Sequence, residues 1–337
     1  MTAASAPVRL GVVGLGWFGG VLAESARATG VAEVVACFAR SPEARATFAR
    51  AHGCREAESD EALLGAPDVD AVMLATPHST HADMIERAAD AGKHVFVEKP
   101  LALTVADAER AVAATAAAGV VLQVGHNRRR QPANRAIASM IERGELGTVL
   151  HLEGTYSVPG GHKPDLPAWR SDPAECPAGS MTALGVHTVD TFAAWVGRAS
   201  RVAAFTARIA AMTPLDEATT VMIEYASGQL GTISTSYFTP AMNTVAVFGT
   251  ERAVWNEEDG TRLFVQARGE PSRTEQPVET LDTITDEIAE FARCITDGDV
   301  PETGGPAGLE VAAVLEGIVR SASSGCAVEL DDLRAIP

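Results

Sequence analysis

The chain has 337 residues, too many for one compact core and suited to two domains. Hydrophobic residues make up 46% and charged residues 21%, the balance of a folded globular protein rather than a disordered one. A net charge of −17 repels a phosphate backbone and excludes nucleic-acid partners, and the run Arg128-Arg129-Arg130 is too short to reverse that.

In chain order, Val8 to Val13 reads as a buried strand ending at a glycine turn. Trp17 to Thr29 reads as a helix closed by Gly30. Val31 to Phe38 is a second strand, and Pro42 opens a helix to Arg50. Strands over 70–75 and 94–97, a helix over 79–91 closed by Gly92, a helix over 105–118 closed by Gly119 and a strand over 120–124 follow. Strands alternating with helices of this length predict βαβ units in a parallel, doubly wound sheet. After a helix over 131–143 the pattern changes. Segments 148–156, 201–209, 219–225, 230–237 and 244–248 are β-branched or aromatic and separated by turns, which predicts antiparallel strands. Helices over 282–296 and 308–322 end the chain. The expected division is an α/β domain over 1–125 and an α+β domain over 126–337. Within the second is the Pro/Gly-rich stretch 159–179, read as a long loop of the sort that carries function.

The N-terminal MTAASAPVRL lacks a basic region followed by an apolar core, so a cytoplasmic protein without a signal peptide is expected. The Ala-rich stretch 111–124 is too short to span a bilayer as a helix, so no membrane partner is expected. Five cysteines stand singly and read as reduced, packed thiols. His162, Cys176, His187 and Asp190 have no zinc-ligand spacing, and no metal is expected.

Four motifs carry chemistry. In Gly14-Leu15-Gly16-Trp17-Phe18-Gly19, Gly14 permits a tight turn, Gly16 lets main chain approach a pyrophosphate, and Gly19 lets helix pack on strand. The following helix offers free N–H groups and a positive dipole end. The loop, with Trp17 and Phe18, is therefore read as a dinucleotide site on a Rossmann domain. At the end of the second strand, where NAD-selective folds place a carboxylate, the sequence is Ala39-Arg40-Ser41. Guanidinium and hydroxyl suit a 2′-phosphate, so NADP(H) is the expected cofactor, with NAD(H) open if Arg40 only faces solvent. Thr76 and Pro77 end another parallel strand, the edge where ligands bind, and are expected to line the cofactor groove. His81 is read either as a cofactor contact or as an ordinary residue of the helix's first turn. Glu98-Lys99-Pro100 ends the next strand. Beside an oxidised nicotinamide the Lys99 ammonium would lose its proton more readily, which makes it a general acid/base candidate; Glu98 joins the cofactor set.

Together, the glycine loop, Ala75-Thr76-Pro77 with His81, and Glu98-Lys99-Pro100 at these intervals resemble the Gfo/Idh/MocA family of sugar and inositol dehydrogenases and related reductases. The resemblance runs over nearly the whole chain. It includes Gly125-His126-Asn127-Arg128-Arg129, Trp169-Arg170, the helix from Ala178 to Asp190, Val247–Thr250 and 321–325. It implies a C-terminal α+β domain with a large, mostly antiparallel open sheet whose face makes homodimer or homotetramer contacts. It implies Lys99 as catalytic lysine and His187 as active-site histidine. Trp169 and Arg170 then join the cofactor set, and Asn127, Arg128 and Thr182 the substrate set.

One departure stands out. The family's helix carries aspartate four residues before the histidine, on the same helical face, and here that position is Ala183. The expected activity is NAD(P)-dependent hydride transfer to or from a hydroxyl or carbonyl carbon of a sugar-like or other small polyhydroxylated substrate. Two other readings stay open: a redox-assisted NAD-dependent glycosidase, and a dinucleotide-binding sensor or scaffold whose chemistry has decayed.

Overall fold

The structure, a computed structural model, describes residues 6–160 and 168–334. The chain runs β1 (Val8–Val13), α1 (Trp17–Thr29), β2 (Ala32–Phe38), α2 (Pro42–His52), β3 (Arg55–Glu56), α3 (Asp60–Leu64), β4 (Ala71–Leu74), α4 (His81–Asp90), β5 (His94–Val97), α5 (Val105–Ala118) and β6 (Leu122–Val124). It continues through α6 (Pro132–Glu142), β7 (Val149–Val158), α7 (Val186–Val196), β8 (Ala199–Ala207), β9 (Ala218–Tyr225), β10 (Leu230–Tyr237), β11 (Met242–Gly249), β12 (Arg252–Glu257), β13 (Arg262–Ala267) and β14 (Thr274–Gln276). It ends with α8 (Thr283–Asp297), α9 (Gly305–Ser324) and β15 (Val328–Glu329).

The chain divides into two compact units. Among the described residues the first holds 6–102, 106–126 and 282–309, and the second 103–105, 127–160, 168–281 and 310–334. In the first, six strands in the order β3-β2-β1-β4-β5-β6 all pair in parallel, the doubly wound sheet that the alternating pattern predicts. The order reverses beside β1, the switch point at which such sheets bind ligands. Local signals place the helices: Ser41 Oγ accepts the Ala44 N–H and Pro42 stands in the first turn of α2, while Gly30 and Gly53 close α1 and α2 in left-handed conformation.

Residues 282–309 correct the expected division, which gave them to the second domain. The reason is burial. Ile288, Phe291 and Ala292 of α8 enter the core of Leu10, Val12, Leu22 and Phe96. Phe291 meets Phe96 edge to face at 5.8 Å. Gln123 Nε2 donates to Glu287 O at 2.8 Å, and Val124 exchanges main-chain and hydroxyl bonds with Thr303.

The second unit is built on nine strands in the order β14-β13-β12-β11-β7-β10-β9-β8-β15, antiparallel except for β7 with β10. One face buries Leu152, Val221, Ile223, Ile233, Val245 and Val247 against Val189 and Phe192 of α7. The other face leaves Phe205, Met222, Leu230 and Met242 exposed. β12, β13 and β14 were not expected from sequence. Their inward residues alternate with charged ones that pair outside, such as Arg262 with Glu275, so the apolar signal of each strand is short. Of the cysteines, Cys37, Cys176 and Cys294 are buried, whereas Cys326 is exposed and does not pack as a small hydrophobe.

Candidate functional site

In the first unit β1 ends in a turn at Gly14, whose φ of 95° is in the left-handed region. A Cβ there would stand 2.4 Å from Ala75 O, so only glycine lets the loop lie this close to the end of β4. At Gly19 a Cβ would stand 2.2 Å from Gly14 O, which is how the first turn of α1 closes on the loop. At Gly16 a Cβ would meet nothing within 4 Å among the described residues. Gly16 caps α1 with no side-chain bond, and the Trp17, Phe18 and Gly19 N–H groups fall in the first turn, where no intrahelical acceptor exists. An open cradle beneath free N–H groups and a helix dipole fits a pyrophosphate. Trp17 is 81% exposed, and its ring meets that of Phe18 at 5.6 Å.

At the end of β2, Arg40 is exposed and its guanidinium has no partner among the described residues. Ser41 is already engaged: besides capping α2, its hydroxyl donates to Glu43 Oε2 at 2.8 Å. Hydrogen bonds from its own main chain and from Ser41 hold the Glu43 carboxyl below the usual carboxylate range. Sequence reading missed Glu43, although an acidic residue at the first turn of a helix was signal enough for a carboxylate at this strand end.

Thr76 and Pro77 lie just past β4. Thr80 Oγ1 is 2.8 Å from Thr76 Oγ1 and 2.7 Å from Pro77 O, which ties the turn to the start of α4. His81 has no exposed surface. Its Nδ1 lies 2.9 Å from Pro100 O and its Nε2 3.2 Å from Thr76 O. This corrects the reading of His81 as a cofactor contact: the ring braces two strand-end turns from behind. Lys99 is half-buried at the end of β5, before a cis peptide to Pro100. Glu98, also half-buried, takes Leu74 O with its N–H at 2.9 Å, and a Cβ on Gly125 would come within 2.7 Å of its Oε1.

In the second unit Asn127 to Arg130 form one turn of 3-10 helix. Arg128 lies over the Tyr156 ring, 4.4 Å from its centroid, and bonds Tyr156 Oη and Asp259 Oδ1. Burial pulls the Arg128 guanidinium below its ordinary pKa, opposed by Tyr156. Arg129 makes a two-pronged pair with Asp190 on α7, at 2.9 Å from Nε and 2.5 Å from Nη2. Asp190 is fully buried. Three positions before it on α7, buried His187 is thereby held relative to the arginine turn. Asp190, Asp259 and Tyr156 were all missed as site residues. The three consecutive arginines were the available signal, since buried guanidinium groups need carboxylate partners.

The helix expected over 178–190 is not one regular helix. Met181–Gly185 form a π-helical turn, and α7 begins at Val186. A Cβ on Gly185 would stand 2.0 Å from the Met181 sulfur, so glycine permits the turn. Such turns cluster at functional sites. Ala183 therefore does not face His187 at ideal α spacing; it packs with Leu184 against Cys176, Leu215 and Tyr237, and the position of the missing carboxylate is apolar. Thr182 is fully buried with its hydroxyl donated to Pro177 O, which corrects its reading as a substrate contact. Trp169 and Arg170 lie on a 3-10 turn with the guanidinium 4.6 Å from the ring centroid. Of the four residues considered for a metal, His162 lies outside the described residues and Asp190 is paired with Arg129. No group of three or more His, Cys, Asp or Glu is placed for a metal ion among the described residues.

Residues 8–126 match the Gfo/Idh/MocA model described as an oxidoreductase family with NAD-binding Rossmann fold, and residues 134–254 match the model of its C-terminal domain. A 1,5-anhydro-D-fructose reductase of Ensifer adhaerens is 31% identical over 315 residues, covering 90% of this chain and 93% of that protein. A crystal structure from Desulfitobacterium hafniense, of an oxidoreductase assigned as NADPH-dependent, superposes with a TM-score of 0.91 at 27% identity over 98% of this chain and 99% of that one. Levoglucosan dehydrogenase in complex with NADH and L-sorbose shares the fold, with a TM-score of 0.89 at 24% identity over 97% of this chain and 99% of that one.

Proposed function

The chain belongs to the Gfo/Idh/MocA oxidoreductase family, and on that footing we propose that it transfers hydride reversibly to or from a hydroxyl- or carbonyl-bearing carbon of a sugar-like or other small polyhydroxylated substrate. The observation that carries the reading is the placement of Lys99 at the C-terminal end of β5, in the same parallel sheet whose β1 opens into the Gly14–Gly19 cradle. The cofactor supplies the hydride acceptor or donor when bound. Gly14, Gly16 and Gly19 shape its pyrophosphate cradle, Thr76, Pro77 and Glu98 stand at the neighbouring strand ends, and Trp169 and Arg170 help position it. Lys99 gives a proton to the carbonyl oxygen during reduction and takes one from the hydroxyl during oxidation. His187 hydrogen-bonds the same or the neighbouring oxygen, and Asn127 and Arg128 hold the rest of the substrate.

Arg40, exposed and with its guanidinium unpaired among the described residues, supports NADP(H) as the preferred cofactor. Glu43 supports the second reading, NAD(H), because a carboxylate at this strand end accepts a ribose 2′-hydroxyl and repels a 2′-phosphate. The exposed Phe205, Met222, Leu230 and Met242 on the open face of the large sheet support a homodimer or homotetramer, checked by analytical ultracentrifugation; a cytoplasmic location is part of the same proposal. The family reading is tested by mixing the protein with NADP⁺ or NAD⁺ and a panel of sugars and polyols and following reduced-nicotinamide absorbance. Stoichiometric reduction is the expected result. Sugar released from a glycoside without net absorbance change would make it a redox-assisted glycosidase. Cofactor binding without any turnover would make it a sensor.

A further inference from the structure

We propose that the second unit contains a subsite for a neutral vicinal diol, formed by Arg128 and Asp259 with Tyr156 and Asn243, and that it selects uncharged polyols over polyhydroxy acids and sugar phosphates. The inference rests on the hydride-transfer reading above and adds the charge class of the substrate.

Charge balance comes first. Each of the two arginines next to Asn127 is matched by its own carboxylate: Arg128 by Asp259 and Arg129 by Asp190. At these two positions each guanidinium is therefore offered with a carboxylate beside it. A carboxylate or phosphate ligand would have to displace Asp259 or sit beside it, with like charges at hydrogen-bond distance. A diol meets neither cost: one hydroxyl accepts from the guanidinium while its neighbour donates to the carboxylate.

The second argument is preorganisation. Glu258, Asp259 and Gly260 have φ of 50°, 60° and 91°, three successive left-handed residues of which two are not glycine. Such backbone persists only where its surroundings hold it. Asn243 Nδ2 donates to Asp259 Oδ1 at 2.7 Å, and Gln131 Nε2 donates to Asp259 Oδ1 and to Asp259 O, each at 3.0 Å. Gln131 is fixed in turn by Asn134 and Asn256 at 3.2 Å each, in a buried amide cluster. The Asp259 side chain nevertheless stays 58% exposed, with Arg128 pressed on the Tyr156 ring beside it. A buried amide network that aims an accessible carboxylate, backed by a largely buried guanidinium, is a binding feature rather than a core strut.

The test compares wild type with Asp259→Asn on matched pairs, each a neutral aldose or polyol and the corresponding uronic or aldonic acid. Asparagine tolerates left-handed backbone and keeps one acceptor oxygen, so the fold is expected to survive, as circular dichroism will verify. Wild type should favour the neutral member of each pair by at least about tenfold in kcat/KM, within what one unit charge contributes near a protein surface. Asp259→Asn should raise KM for the neutral member with little change in kcat, and should narrow or reverse the preference, a gain toward acids that a merely structural role would not produce. The same pairs in a thermal-shift assay read binding without turnover. Wild-type preference for the acid, or an unchanged ratio in Asp259→Asn, would overturn the subsite. Selective binding without hydride transfer would instead leave the subsite standing and remove the proposed activity.

Discussion

In the first unit the features that suit a dinucleotide are main-chain groups set by near neighbours: the turn at Gly14 and the first N–H groups of α1. In the second unit they are side-chain pairs drawn together from far along the chain. Arg128 meets Asp259 across 131 positions, and Arg129 meets Asp190 across 61. A main-chain site tolerates change in most side chains and depends on a few glycines. A paired-side-chain site depends on both partners, because a buried charge left alone costs more than the pair contributes. The first arrangement suits a ligand that many relatives share, the second a ligand that differs among them.

The sharpest way to break this comparison is at Lys99, a charged group that the first unit places at a strand end. General acid/base help is worth about 10²–10⁴-fold. Lys99→Met should therefore lower kcat by that factor and leave cofactor affinity near that of wild type, read by steady-state kinetics and by titration of protein fluorescence. Wild-type turnover in this variant would sink the assignment.

Asp190→Asn attacks the other side. The carboxylate is fully buried against Arg129, so its loss takes a carboxylate partner from a largely buried guanidinium. The expected cost is about 3–5 kcal/mol of unfolding free energy by denaturant titration. The double variant with Arg129→Ala should recover part of it. Independent, additive losses would show that the pair does not hold the arginine turn to α7.

The same contrast explains what could be read from the sequence. The strand, glycine turn and helix of residues 8–30 and the strand-end lysine are local patterns, and the structure places those elements where the pattern puts them. The boundary at 125 missed 282–309, because nothing near Phe291 announces that it packs on Phe96, 195 positions earlier by their numbering. Asp259 was invisible for the same reason: its chemistry exists only once its turn meets Arg128. Ala183 was legible as a departure, but the π-helical turn that alters its spacing to His187 was not, since regular helix was assumed through Gly185.

Arg40 gives a smaller and more selective effect. It is exposed, so its contribution to a 2′-phosphate is screened by solvent. Arg40→Ala should weaken NADP⁺ by about tenfold, the low end for a charge-assisted bond, and leave NAD⁺ unchanged. Glu43→Gln should do the reverse and improve NADP⁺. A thermal-shift titration with each cofactor reads both, and an equal response of NAD⁺ and NADP⁺ to Arg40→Ala would remove the guanidinium from the cofactor site.

The smallest expected effect concerns a place in the first unit where a side chain adds to the main-chain bonds between two strands. His94, half-buried at the start of β5, accepts the Val121 N–H on Nδ1 at 2.9 Å. Burial holds its pKa below the ordinary 6.5, with Asp70 opposing. A ring nitrogen that accepts a bond must be unprotonated, so the folded state takes up the proton later than the unfolded chain as pH falls. The contribution of His94 is then complete above about pH 6.5 and is lost as pH drops toward the depressed folded value. Carboxylates such as Asp60 and Asp70, also held low, titrate well below this window and do not obscure it. Between about pH 7.5 and pH 5.5 the Tm of wild type should fall more than that of His94→Gln, whose amide oxygen still accepts from Val121 but takes no proton. Equal slopes in the two proteins would mean that β5 and β6 are held by their main-chain ladder alone, and that the first unit is as indifferent to its side chains at this edge as it is at the glycine loop.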